Sequence, residues 1–160
     1  MVDGVVKRTK GVRLGSSARY GVYEAEGVGL SLALECLRLE RDEVISGTIP
    51  LRVDNTLAIR ATTSSKPGVG CYIWDHFQKR LSKVRGTYTE FRLRIDWTPG
   101  HVDIPGNKAA DEAAKRAAMQ GNFGGAPAVL KNLPFSKSAL ALGHMQLLQA
   151  AARKQLKRST

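Results

Sequence analysis

Apolar residues recur at intervals of three and four positions in two parts of the chain, which predicts two amphipathic helices. The first begins near Tyr23, and its charged residues, including Glu35, are expected to face water. The apolar faces comprise Leu30, Ala33, Leu34 and Leu37 in the first helix, and Trp74, Phe77, Leu81 and Val84 in the second. Because Trp74 has the spacing of a core residue, we expect its ring to be buried.

Short stretches of alternating apolar and polar residues are typical of β-strands. This alternation predicts strands at Thr48–Asp54 and Glu90–Trp97. Two shorter strands are predicted at Val5–Thr9 and Val12–Gly15, joined by a hairpin turn at residues 10–11.

Two further helices complete the predicted elements. Thr56–Ala61 is long enough for only a turn or two of helix, whereas Lys108–Met119 is rich in alanine, the strongest helix former. The resulting order is β-β-α-β-α-α-β-α. This order predicts an α/β fold in which a mixed sheet is covered by helices.

A change of composition marks the predicted end of the domain. Residues 120–127 are rich in glycine, and the chain beyond them carries six basic residues and no acidic residue. We therefore predict a domain over residues 1–119, a Gly- and Pro-containing linker over 120–135 and a basic amphipathic helix over 136–160. Ser136 could cap this last helix.

The overall charge favours a polyanionic partner. The chain has 160 residues, with 25 Lys and Arg against 14 Asp and Glu, so its net charge is +11. It has no apolar run long enough to span a bilayer, no signal-peptide pattern at its start and too few cysteines for a disulfide scaffold. We therefore expect an intracellular protein of the nucleus or cytoplasm that is neither secreted nor bound to a membrane.

Four polar residues near the ends of predicted elements are candidates for chemistry, although each also has an ordinary structural explanation. Asp54 ends a strand, where open α/β sheets build their sites, but it could instead cap the next helix. Glu26 lies in the first turn of a helix, where a carboxylate suits the helix dipole. Asp111 precedes Lys115 by four residues, which is typical of a surface ion pair, and His101 could be a solvated loop residue.

Taken together, these residues form a pattern with two motifs around one loop. Residues 97–101 read Trp-Thr-Pro-Gly-His, and residues 106–111 read Gly-Asn-Lys-Ala-Ala-Asp. Glu26 and Asp54 come before them, at the head of a helix and the end of a strand. The arrangement resembles the type 1 ribonuclease H family over about Val5–Met119. It is most similar to the ribonuclease H domain of fungal LINE-type retrotransposon polyproteins.

The resemblance implies a ribonuclease H-like fold and a metal-dependent endoribonuclease that cuts the RNA strand of RNA–DNA hybrids. The implied cofactor is two Mg²⁺ ions, or Mn²⁺, with Glu26, Asp54 and Asp111 as ligands. Carboxylate oxygens suit Mg²⁺, and like charges held close together are typical of a metal site. The resemblance also implies that His101 handles protons or product release, and that Asn107 shapes the loop and caps the following helix.

The chain departs from the family pattern at two places. Lys108 stands where the motif usually has Glu, which reverses a charge beside the site.

The family also carries its first catalytic Asp on an opening strand, in an Asp-Gly-Ser-like motif. Asp3 is followed by Gly but stands too close to Val5 to leave room for a whole strand. We therefore expect the first strand to be missing and the chain to be loosely folded or poorly soluble. The alternative function is a catalytically impaired remnant that keeps the fold and binds nucleic acid without turnover.

A basic cluster at the end of the second long helix is the candidate nucleic-acid-binding face. In a ribonuclease H fold this region is suited to gripping phosphates, and a hybrid is recognised by shape, phosphates and 2′-hydroxyls. A solvated basic surface is the alternative explanation. The cluster comprises Lys79, Arg80, Lys83 and Arg85.

Overall fold

A computed structural model describes residue 6 and residues 8–17, 19–39, 47–64, 71–88, 90–100, 104–131, 133–134, 141, 145 and 149. Two paired strands and several helices give a mixed α/β fold. The elements are α1 (Val22–Arg38), β1 (Gly47–Val53), α2 (Thr56–Ala61), α3 (Cys71–Thr87), β2 (Phe91–Trp97), α4 (Pro105–Gln120) and α5 (Ala128–Lys131). The predictions of the two long amphipathic helices, of the strands at β1 and β2, and of the helices at α2 and α4 are confirmed.

The strands β1 and β2 are parallel, in a register that runs from Gly47 opposite Phe91 to Val53 opposite Trp97. Thr98 extends the ladder by donating its N–H to the Val53 carbonyl at 2.9 Å. The carboxyl ends of both strands therefore meet at the same edge of the sheet. Residues that follow either strand are brought close together there.

The backbone of β1 shows which of its two edges is open. The Gly47 N–H donates to the Glu90 carbonyl at 3.2 Å, so every second residue from Gly47 directs its backbone groups towards β2. Thr48, Pro50 and Arg52 direct theirs towards the other edge, where the described residues contain no paired strand. Proline has no N–H, so the middle of this edge lacks a donor and pairs less readily with another strand.

The main core lies between α1, α3 and one face of the strand pair. Trp74 is 5% exposed, which confirms that its ring is buried. The ring centroid lies 5.4 Å from that of Tyr23 on α1 and 6.3 Å from that of Phe77. Tilted and edge-on pairs of this kind stabilise a core beyond the area they bury. The buried cluster comprises Leu30, Leu34, Val53, Ala58, Ala61, Trp74, Phe77 and Leu81.

The prediction of a hairpin at the start of the chain is wrong for the residues that are described. No strand pairing joins the described parts of Val5–Thr9 and Val12–Gly15. Instead, Gly11 forms an isolated antiparallel bridge with Phe123, through N–H···O bonds of 3.2 and 3.0 Å. The N-terminal segment thus satisfies its backbone groups with the segment after α4, which the local sequence pattern does not reveal.

Much of the predicted linker packs against α1 and α3. Leu130 is fully buried and Ala126 is 7% exposed, in a second core cluster with Val28, Leu32 and Ile73. These residues beyond position 120 pack in the same body as α1 and α3. The division of the chain into a domain, a linker and a C-terminal helix stays a prediction.

Two tyrosine hydroxyls hold the described end of this segment. The Tyr20 hydroxyl donates to the Leu133 carbonyl at 2.7 Å, and the Tyr72 hydroxyl donates to the Pro134 carbonyl at 3.0 Å. Burial is the main cause that raises the pKa of Tyr72 to about 12, so this hydroxyl keeps its proton at physiological pH.

Of the predicted C-terminal helix, the structure describes only Ala141, Met145 and Gln149, which are helical and exposed. Ser136 and the remainder of that helix lie outside the described residues. Among the helices that are described, none is long and apolar enough to cross a membrane.

Candidate functional site

Asp54 directly follows β1, and its neighbour takes the capping position of α2. The Asn55 side chain accepts hydrogen bonds from the N–H groups of Leu57 and Ala58, at 3.0 and 3.2 Å. This is the usual geometry of a helix N-cap. The alternative in which Asp54 only caps this helix is therefore wrong, and its carboxylate is available for other contacts.

A similar division of roles occurs at the start of α1. Glu24 is buried, and its side chain accepts a hydrogen bond from the Gly21 N–H at 2.9 Å. Glu26, two residues later, is half-buried. Its side chain is within hydrogen-bond reach of Asp54. The carboxyl groups of α1 and of the end of β1 thus interact with each other, although 28 positions of sequence separate them.

The environment of Glu26 favours its protonated form. Burial is the main cause that raises the pKa of Glu26, followed by the negative charge of Asp54 and the hydrogen bond between the two side chains. Two neighbouring carboxylates repel each other unless they share a proton or a cation. The pair is therefore chemically unusual, in contrast to the exposed acids elsewhere on the surface.

The turn after β2 holds Asp54 in place. The Trp97 indole N–H donates a hydrogen bond of 3.2 Å to the Asp54 carbonyl oxygen. A Cβ atom added to Gly100 would lie 3.0 Å from Asp54 Oδ2, closer than ordinary van der Waals contact. The backbone at Gly100 therefore lies directly against the Asp54 carboxylate, and a side chain there would displace it.

The first turns of α4 bring two more predicted residues to the same place. The helix begins with Pro105 at its first position, after Ile104, and no side chain caps it. The prediction that Asn107 caps the helix is therefore wrong, since Asn107 lies inside the first turn. Asp111 lies one turn further on, and its Oδ2 accepts a hydrogen bond of 2.5 Å from Lys115 Nζ.

A single cleft of about 730 Å³ contains these residues. Glu26, Asp54 and Asp111 all line it, together with Asn107. The structure thus places the three predicted carboxylates, from α1, the end of β1 and α4, around one open space. The cationic residues that line the same cleft are Arg52, Lys108 and Lys115.

The described residues fit a divalent cation at two of the three predicted ligands. The oxygens of Glu26 and Asp54 are close together and have the chemistry that Mg²⁺ prefers. Asp111 is paired with Lys115, and within the described residues no group of three His, Cys, Asp or Glu side chains could hold a metal ion. The ion pair uses Oδ2 of Asp111 and places a positive charge beside it, which opposes the binding of a cation there. His101 and Asp3 lie outside the described residues.

The predicted basic face divides into exposed and paired residues. Lys79, Lys83 and Arg85 on α3 are exposed. Arg80 instead binds Glu35, with a distance of 2.6 Å between Nη1 and Oε2. The charge of Arg80 is therefore paired within the fold, and its role in nucleic-acid binding stays a prediction.

The same ion pair corrects the predicted exposure of Glu35. Glu35 is 6% exposed, so the expectation that it faces water is wrong. Arg38 also binds it, at 2.7 Å between Nη2 and Oε1. The hydrogen bond from Arg38 is the main cause that lowers the pKa of Glu35, with further contributions from the charges of Arg80 and Arg38. Two arginines thus hold one buried carboxylate in its ionised form.

The sequence alone did not identify Arg52 as a residue of the site, and it placed Trp97 in a motif without assigning it a contact. The signal for Arg52 was present, because alternation along a strand places residues 52 and 54 on the same side. The contact between the Trp97 indole and the Asp54 backbone depends on the parallel pairing of β1 with β2, which no local pattern specifies.

Comparisons of the chain with models of protein families, with curated proteins and with solved structures found no match. Inferences about function therefore depend on the motifs and on the geometry of the cleft.

Proposed function

We propose that this chain is a ribonuclease H-like domain that binds RNA–DNA hybrids and hydrolyses the RNA strand with the help of divalent cations. The observation that carries the proposal is the contact between the Glu26 and Asp54 carboxyl groups at the carboxyl edge of a parallel strand pair. Like-charged groups in contact are costly in a purely structural role, whereas a bound cation stabilises them.

The arrangement of elements supports the same proposal. A helix that begins near Glu26, a strand that ends at Asp54, a parallel neighbour that ends at Trp97 and a helix with Asp111 occur in the order that the resemblance implies. Their acidic residues meet in one cleft. Ligand sites of open α/β sheets commonly lie at this edge.

The chain's own residues have separate roles in this proposal. Glu26 and Asp54 would hold a cation, while Trp97 and Gly100 keep Asp54 in position. When bound, Mg²⁺ would supply Lewis acidity towards a phosphate and lower the pKa of a water molecule. Lys83 and its exposed neighbours on α3 would bind phosphates of the duplex.

The proposal is tested by measuring Mg²⁺-dependent cleavage of a hybrid labelled on its RNA strand. Glu26→Gln and Asp54→Asn should each abolish cleavage, because each removes a carboxylate from the pair. Asp75→Asn is the matched control, since Asp75 is an exposed acid on α3 outside the cleft. An RNA duplex and a DNA duplex of the same sequence should remain uncut. Equal cleavage by all three variants would refute the site.

A second function is favoured by the contact between Asp111 and Lys115. Because this ion pair engages the third predicted ligand, the domain would bind nucleic acid without turnover. In that case, the parent chain binds the hybrid but does not cleave it with either Mg²⁺ or Mn²⁺. Substitution of Glu26 or Asp54 would then leave binding intact.

A further inference from the structure

Of the three cationic side chains that line the cleft in the described part of the chain, one has a carboxylate partner and the other two have none there. Lys115 is paired with Asp111, at 2.5 Å between Nζ and Oδ2. Arg52 and Lys108 line the same cleft, and no salt bridge of either residue is found within the described parts of the chain. Both residues are exposed, so both are accessible to a ligand from solvent.

The two residues reach the cleft from different elements of the fold. Arg52 belongs to β1 and precedes Asp54, the residue that directly follows this strand, by two positions, and both residues line the cleft. Lys108 belongs to α4 and precedes Asp111 by three positions, which places both on one face of that helix. The cleft therefore receives a cationic side chain and a carboxylate from the region of β1, and another of each from α4.

The sum of charges distinguishes this cleft from a site made of acids alone. Among the described residues, three carboxylates line it, and three cationic side chains offset them. A cluster of bare carboxylates repels a phosphate until metal ions neutralise it. The cationic side chains beside the carboxylates offset this repulsion, which favours the approach of an anion in the absence of metal.

We propose that Arg52 and Lys108 form a subsite that binds a backbone phosphate of nucleic acid in the absence of metal, next to the Glu26–Asp54 pair. The inference rests on the proposed function and specifies how its substrate is held. The planar guanidinium of Arg52 can bind two phosphate oxygens at once, and the ammonium of Lys108 adds a mobile point charge. Phosphate binding at this point places the nucleic acid backbone directly over the carboxyl pair.

The test measures binding of a labelled RNA–DNA hybrid in EDTA by fluorescence anisotropy over a range of salt concentrations. Replacing both residues, by Arg52→Gln and Lys108→Gln, removes two phosphate contacts. The slope of log affinity against log salt should become shallower by about 1–2 units, at roughly 0.7–0.9 per contact. The matched control is the double variant Arg13→Gln and Arg60→Gln, which removes two exposed charges outside the cleft and should keep the parent slope.

A charge reversal provides a second, independent readout. Lys108→Glu should weaken binding in EDTA more than Lys108→Gln does, because it adds a carboxylate to the cleft. Addition of Mg²⁺ should then strengthen binding of Lys108→Glu more than that of the parent chain. Circular dichroism and thermal melting verify that each variant keeps the fold.

The possible outcomes separate this inference from the proposed function. If the parent binds and cleaves the hybrid but the folded cleft variants keep its salt slope in EDTA, the phosphate subsite is refuted and the ribonuclease proposal stands. If the parent fails to bind the hybrid with or without Mg²⁺, both proposals are refuted. If inorganic phosphate binds through Arg52 and Lys108 but their substitution does not change hybrid binding, the ligand of the subsite is a free phosphate. The proposal that it binds a backbone phosphate of nucleic acid is then wrong.

Discussion

The indole of Trp97 is bonded to the backbone of Asp54, with 3.2 Å between Nε1 and the carbonyl oxygen. This contact joins the carboxyl ends of β1 and β2 through a side chain, beyond the last bonds of the strand ladder. Trp97 is 57% exposed, so its ring contributes little to the core. The contact therefore acts mainly on the position of Asp54.

Substitution of Trp97 by Phe should separate positioning from stability. The free energy of unfolding should fall by only about 0.5–1.5 kcal/mol, the usual contribution of one hydrogen bond. The affinity of the Glu26–Asp54 pair for Mn²⁺ should fall clearly, because Asp54 loses one of its constraints. Urea unfolding and a Mn²⁺ titration followed by electron paramagnetic resonance measure the two quantities. Unchanged Mn²⁺ affinity would show that the indole does not position Asp54.

Gly100→Ala should displace the Asp54 carboxylate directly. The new methyl group would lie 3.0 Å from Oδ2, so the carboxylate must move by a few tenths of an ångström. We expect weaker Mn²⁺ binding and slower hybrid cleavage with an intact fold. The matched control is Gly86→Ala on α3, where nothing lies within 4 Å of the new atom. That control should keep activity and gain up to about 1 kcal/mol of stability. Equal activity of both variants would contradict the close approach.

Glu35 should make the stability of the fold depend on pH in the acidic range. The pKa of Glu35 in the folded protein is lower than its ordinary value of 4.5, because Arg38 and Arg80 stabilise the carboxylate. Its contribution is therefore complete above pH 4.5 and is lost as the pH falls through the lowered pKa. Glu35→Gln should lower the free energy of unfolding by about 1.5–3 kcal/mol near neutral pH.

Urea unfolding of the parent and of Glu35→Gln at neutral and acidic pH measures this dependence. The difference between the two proteins should shrink as the carboxylate of the parent becomes protonated. A difference that stays constant down to the most acidic point would show that the ionised form of Glu35 is not the stabilising one.

The exposed part of the basic face should contribute to binding and not to folding. Replacing Lys79, Lys83 and Arg85 by Ala should reduce the salt dependence of hybrid binding by about 0.7–0.9 per lost phosphate contact. The melting temperature should change little, because all three side chains are exposed. Arg80→Ala is the contrasting variant, since it leaves the buried Glu35 with one partner and should lower the melting temperature. An unchanged slope in the triple variant would exclude this face.

The sequence predicts the long elements well because each has one apolar face. Trp74 and Phe77 have helical spacing and are buried as expected, and the alternation in β2 specifies a strand. The N-terminal segment is different, since its short alternating stretches fit a hairpin as well as any other extended conformation. Its actual partner is Phe123, far along the chain, and no local pattern encodes that choice.

The candidate site was predicted from the sequence only in part. Motif residues indicate which acids could meet, and the structure places them around one cleft. The sequence does not show that Asn55 caps α2 while Asp54 faces Glu26, because both residues are good caps. The sequence also does not show whether Asp111 binds Lys115 or a cation, because that depends on distances in three dimensions.

The hydrogen bonds between the N-terminal segment and the segment after α4 constrain how the chain can fold during synthesis. Lys10 Nζ donates to the carbonyl of Gly125 at 2.9 Å, across 115 positions of sequence. Lys10 is synthesised well before Gly125, so it must wait for the segment around Gly125 before it finds this partner. Contacts of such long range slow folding, since the loop they close is costly in entropy. Until then, the segment around Lys10 is accessible to chaperones and proteases.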